Sequence, residues 1–147
     1  MSRVRVRVPG LAVPGVVGGA PYRRRMATAD DVRRIALALP GAVEKLAWGL
    51  PTFRVGQGGR IFASLDDDDQ VIGVKCPQED RERLIASEPH KFFVREGHDD
   101  AYAWLRVRLD ALDDEEELYA VLLDSWRQAA PRRLLEAHPE LGGASGP

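Results

Sequence analysis

"YAWLRVRLD", residues 102–110, decides the fold, because its alternation can be read only one way. Leu105, Val107 and Leu109 alternate with Trp104, Arg106 and Arg108, the pattern of a strand whose apolar side faces a core. Moving the register by one residue would turn Arg106 and Arg108 inward, so the apolar set is taken as the buried one. The same period runs through "TFRV" (52–55), "RIFASL" (60–65) and "QVIGVK" (70–75), interrupted by "GQGG" (56–59) and "DDDD" (66–69). These read as three short strands in antiparallel succession. The aspartates then form the solvated tip of a hairpin, since Asp tolerates left-handed backbone and the flanking strands match in length.

Further out the period changes. Thr28 caps a helix with Asp30 and Asp31 in its first turn, Val32, Ile35, Ala36 and Leu39 recur at helical spacing, and Pro40–Gly41 end it. Pro77 opens a second helix with Leu84 and Ile85 on its inner side. Phe92 to Val94 suits a short strand. Asp113 caps a third helix whose stripe includes Leu118, Val121, Leu122 and Trp126, and Pro131 begins a short helix through "RRLLEAH". The order predicts an α+β domain: helices cover one face of an antiparallel sheet and the other face is exposed.

Strand parity assigns the side chains of that exposed face. With Phe53, Val55, Ile61, Ala63, Leu65, Ile72, Val74, Leu105, Val107 and Leu109 inward, the outward set is Arg54, Arg60, Lys75, Trp104, Arg106 and Arg108, accompanied by Thr52, Phe62, Ser64 and Tyr102. Cations mixed with aromatics suit an anionic partner, through ion pairing and stacking. They equally suit an open sheet whose Arg and Lys stems cover apolar surface with no ligand.

A chain of 147 residues, 44% apolar, supports one domain with a real core, expected at 26–140 with a flexible tail at 141–147. Residues 1–25 hold six of the 21 bases and no acid, which leaves 15 bases against 23 acids in the remainder. A body near −8 does not bind phosphates over its whole surface, so any anion site must be local. Pro and Gly scattered through "MSRVRVRVPGLAVPGVVGGAPYRRR" break every period. That segment reads as a disordered basic extension or as a stretch upstream of a true start at Met26; broken apolar character and three trailing arginines argue against a secretion signal. One cysteine, Cys76, permits no internal disulfide, and no apolar run approaches the roughly 20 residues of a membrane span. The cytoplasm, no membrane association and a monomer are the expectations.

Catalytic templates are not met. "GQGGRI" (56–61) lacks the third glycine of a dinucleotide loop and leads into a strand, and no P-loop, G-x-S-x-G or HExxH occurs. Asp66–Asp69 fail the EF-hand spacing, since Val71 and Pro77 stand where its glycine and glutamate belong. His98 beside Asp99 and Asp100 reads as solvated loop in preference to a metal ligand. No enzyme activity, metal or cofactor is expected.

Taken in order, "LPG" (39–41), "WGLPTFRV" (48–55), "VIGVKCPQEDRERLI" (71–85), "WLRVRL" (104–109) and "APRRL" (130–134) resemble the MmcQ/YjbR family of small bacterial proteins over about Ala36 to Leu135. The resemblance implies a compact CyaY/frataxin-like α+β arrangement and the DNA-binding label common in the family; it implies no catalytic residues. Leu50 stands where members often have His. The expected function is thus a non-enzymatic binding module that takes DNA through Arg54, Arg60, Lys75, Trp104, Arg106 and Arg108. Two alternatives stand beside it. One is a protein-interaction module with Trp104 as the hot spot on that face, or with the acidic helix start at Asp113–Glu117 as the docking surface; the other is weak metal or small-ligand binding by analogy with frataxin.

Overall fold

The computed structural model describes residues 27–66, 69–97, 99 and 102–142. The Thr28 hydroxyl accepts from the Asp31 N–H and the Asp31 carboxylate accepts from the Thr28 N–H, a reciprocal box that starts α1 (Ala29–Ala38). Gly41, at φ +74, then turns the chain into a strand that the sequence pattern does not announce. This is β1 (Ala42–Ala47), antiparallel to β2 (Leu50–Val55) with Glu44 opposite Phe53 and Ala47 opposite Leu50. "AVEKLA" consists mostly of helix formers, and only pairing with β2 makes it a strand. Trp48 and Gly49 link the pair with φ of +54 and +78, the two positive values of a primed two-residue hairpin turn. For a bulky residue that conformation costs about 1–3 kcal/mol.

β2 pairs with β3 (Ile61–Leu65), with a register irregularity at Phe53/Arg54, and β3 pairs with β4 (Val71–Lys75). The β3–β4 connection is the expected hairpin: Asp69 sits at φ +58, its N–H donates to the Asp66 carbonyl, and the Asp66 N–H donates to the Val71 carbonyl. Asp66 is not solvated, however; it is 3% exposed. Asp67 and Asp68 lie outside the described residues.

Next come α2 (Gln78–Ser87), the short edge strand β5 (Phe92–Phe93) and β6 (Trp104–Arg108), which passes into a 3-10 turn at Leu109–Ala111. Asp114, one residue later than expected, caps α3 (Glu115–Ala129). α4 (Arg132–Ala137) follows Pro131, and α5 (Pro139–Gly142) takes in Leu141 and Gly142, which the sequence assigns to the tail; the Leu141 carbonyl accepts from Arg127 Nε. Residues 1–26 and 143–147 are outside the described set.

The six strands form one antiparallel sheet in the order β1-β2-β3-β4-β6-β5. Phe53, Val55, Ala63, Leu65, Ile72, Val74, Leu105 and Val107 are buried in one core with Val32 and Ile35 of α1 and Leu118, Leu122, Leu123 and Trp126 of α3. Trp126 Nε1 donates to the Pro40 carbonyl at 2.9 Å, tying α3 to the chain between α1 and β1. The strand directions give the sheet two distinct ends. Trp48–Gly49, Asp69–Gln70 and Leu109–Ala111 lie at one; the 56–60 turn, Lys75 and Trp104 lie at the other.

Candidate anion site at one end of the sheet

β6 has the predicted orientation, with Leu105 and Val107 buried, but the opposite side of the sheet is not open along its length. Arg106 is 5% exposed. Its Nε and Nη2 donate to the two carboxylate oxygens of Asp99, and its Nη1 donates to Asp66, each at 3.0 Å. Arg95 joins from the rim, its Nη2 donating to Asp66 at 2.7 Å and its backbone N–H to Asp99 at 2.9 Å. Arg108 stands 4.1 Å from the centre of the Phe93 ring and donates to the His90 carbonyl. Thr52, Phe62 and Ser64, also expected outside, are buried, while Tyr102 is exposed as expected and Ile61, expected in the core, is only half-buried. Alternation tells which side of a strand a residue takes. It does not tell whether another segment covers that side, and here Asp99, whose N–H donates to the Arg95 carbonyl, reaches across to Arg106.

Trp104 lies over Gly73: a Cβ added there would stand 2.4 Å from the indole Nε1 and 2.8 Å from Ser64 Oγ. Glycine is therefore required on β4 to let the indole lie against the sheet. The chain entering β6 is fixed by Arg81, whose Nη1 donates to the carbonyls of Asp99, Tyr102 and Trp104 at 3.1, 2.9 and 3.0 Å. Sequence reasoning missed Arg81, because in "QEDRERL" it looks like one more charge on a solvated helix.

Three of the six candidate residues keep their cations unengaged. Among the described residues no hydrogen bond or ion pair occupies the side chains of Arg54, Arg60 or Lys75, and Arg54 Nε is buried without an acceptor. Arg60 is exposed; Arg54, Lys75 and Trp104 are half-buried. All four lie toward the same end of the sheet, Lys75 opposite Trp104 in register and Arg54 across the glycine-rich turn from Arg60.

α3 holds this end in shape. The Ser125 hydroxyl accepts from the Lys75 N–H at 2.8 Å and donates to the Phe62 carbonyl at 2.5 Å, bridging β3 and β4 just beyond their last paired residues, Ala63 and Val74. Gln128 Nε2 donates to the Lys75 carbonyl at 3.2 Å. Burial, with Asp80 and Asp124 adding to it, pushes the neighbouring Cys76 thiol up to about 11, so it is neutral at physiological pH. No group of three metal-ligating side chains occurs among the described residues. Asp99 is engaged by Arg106, and His98 and Asp100 are outside the described set.

A helix-backed antiparallel sheet with one unengaged basic end defines a small α+β domain. The chain belongs to the YjbR family, whose model matches residues 37–128. It is similar to the crystal structure of the Deinococcus radiodurans protein DR2400, a DUF419 domain, at 24% identity and a TM-score of 0.64, over 83% of this chain and 96% of that one. At that identity the likeness carries the fold, and it gives the frataxin-like comparison no support. A comparison with curated proteins returned no match.

Proposed function

We propose that this protein is a non-enzymatic binding module that takes an anionic partner, with DNA as the leading candidate, at the end of the sheet formed by Arg54, Arg60, Lys75 and Trp104. The observation that carries the reading is the buried Arg54 Nε, which has no acceptor in the described protein. A buried donor left unpaired costs about 1–3 kcal/mol, and a ligand oxygen would relieve it. The half-buried Trp104 adds a π-face on which a base can stack. Arg106 and Arg108, expected in the same site, have their own partners and are not part of it.

Three cations on an acidic body make a weak site. At about 0.7–0.9 log units per phosphate contact, affinity should fall by about 2–3 log units for a tenfold rise in salt. Titrating the full chain with labelled single-stranded and duplex DNA at several salt concentrations tests this, with the double variant Arg54→Ala, Lys75→Ala as control. Saturable, salt-sensitive binding that the variant loses supports the reading. Binding that ignores salt, or no binding to either DNA at low salt, removes it. An acidic peptide that binds while DNA does not would turn the same site into a protein-interaction surface. No helix among the described residues is long and apolar enough to cross a membrane, and a cytoplasmic location is part of the proposal.

A further inference from the structure

The opposite end of the sheet carries a different surface. Trp48 is 88% exposed and Leu46 73% exposed, on the hairpin whose first strand, β1, is an edge of the sheet. Half-buried Ala47, Leu50 and Pro51 continue the apolar tip. The primed turn favours Asn, Asp or Gly at the position Trp48 occupies, so neither burial nor backbone preference accounts for an indole there. A strained, exposed aromatic at a hairpin tip points from structure toward function.

The charged groups around that tip differ in how they are engaged. Two strand spacings away, about 10 Å, is the β3–β4 turn with exposed Asp69, and beyond it the 3-10 turn after β6 carries exposed Asp110. Neither carboxylate has an ion-pair partner among the described residues. The nearby cations are engaged: Arg95 and Arg106 on Asp66, Arg108 on Phe93, while Lys45 Nζ reaches toward the other end of the sheet, to the Gln57 carbonyl.

A second copy is a poor fit. Sheet continuation through β1 about a two-fold axis pairs residues of the same face, so the central registers set Glu44 against Glu44 or Lys45 against Lys45, and like charges directly opposed are unfavourable. We infer that this end of the sheet is a docking surface for a basic polypeptide segment with apolar residues among its cations, Trp48 and Leu46 taking the apolar groups and Asp69 and Asp110 the charges. It is independent of the anion site, which lies at the other end.

The test is fluorescence anisotropy of a labelled ten-residue peptide of alternating leucine and lysine, added to the full chain at low salt. Trp48→Gly suits the backbone of the turn, so its melting midpoint should be no lower than that of the native chain while its affinity for the peptide falls about tenfold or more. Asp69→Asn with Asp110→Asn should weaken binding and flatten its salt dependence. Unchanged binding by Trp48→Gly overturns the inference. Equal binding of a leucine–glutamate peptide, self-association that Trp48→Gly abolishes, or tighter capture of the chain by phosphatidylserine vesicles than by the peptide would overturn it as well.

Discussion

Arg106 shows how one residue can be placed correctly in a strand and still be misread in its exposure. Its alternation with Leu105 and Val107 is visible in the sequence; Asp66 and Asp99, 40 and 7 residues away, are not, because nothing local announces a pairing at that separation. Truncating one member of a buried ion pair leaves the others uncompensated, so Arg106→Ala should cost about 3–5 kcal/mol in urea unfolding. If the anion site is where we place it, the folded fraction of that variant should keep native affinity for DNA. Gly73→Ala acts through sterics: the added methyl meets Trp104 and Ser64, and should cost about 1–3 kcal/mol as the indole is displaced. Cys76 adds a pH dependence. Its folded pKa, about 11, lies above the ordinary 9.0, so its contribution to stability is complete below pH about 9 and lost as pH rises through about 11. Comparing native and Cys76→Ala unfolding across that range should show the native chain losing more stability. A thiol reagent should react slowly with the folded native chain and quickly once it is unfolded.

Among the elements, those with a clean period were legible: α1 with its Thr28 cap, the strands β2, β3, β4 and β6, and the amphipathic α3. β1 was not, because its helix-forming residues become a strand only against β2, through a turn whose first residue is a tryptophan. The acidic run at 66–69 was half legible. Asp69 takes the left-handed position that its chemistry allows, whereas Asp66 turns under the sheet to meet two arginines. Ser125 is a small polar residue in the middle of an apolar helix face, and its bridge between β3 and β4 could not be read from spacing. Ser125→Ala should leave the Lys75 N–H and Phe62 carbonyl unpaired, lowering stability by about 1–3 kcal/mol. It should also weaken anion binding, since Lys75 would lose its anchor; unfolding and titration of the same variant separate the two effects.

At the scale of the molecule, a sheet with two chemically different ends replaces the uniform basic face that strand parity suggested. One end presents Arg54, Arg60, Lys75 and Trp104; the other presents Trp48 and Leu46, with Asp69 and Asp110 nearby and without ion-pair partners among the described residues. The middle is closed by the Arg106 network. Fold and family were both recoverable from the sequence, because core periodicity and the order of the motifs are written along the chain. The proposed site was legible only as six candidate residues still to be divided, because which cations find internal partners depends on loops that cross the sheet. The most direct test is an NMR titration of the isotopically labelled full chain with single-stranded DNA, observing backbone amides, arginine Nε–H groups and the Trp104 indole N–H. Shifts centred on Arg54, Arg60, Lys75 and Trp104, with the Arg106 and Arg108 side chains unmoved, are the expected result. Shifts centred on Arg106 and Arg108, or none at all at low salt, would contradict the account.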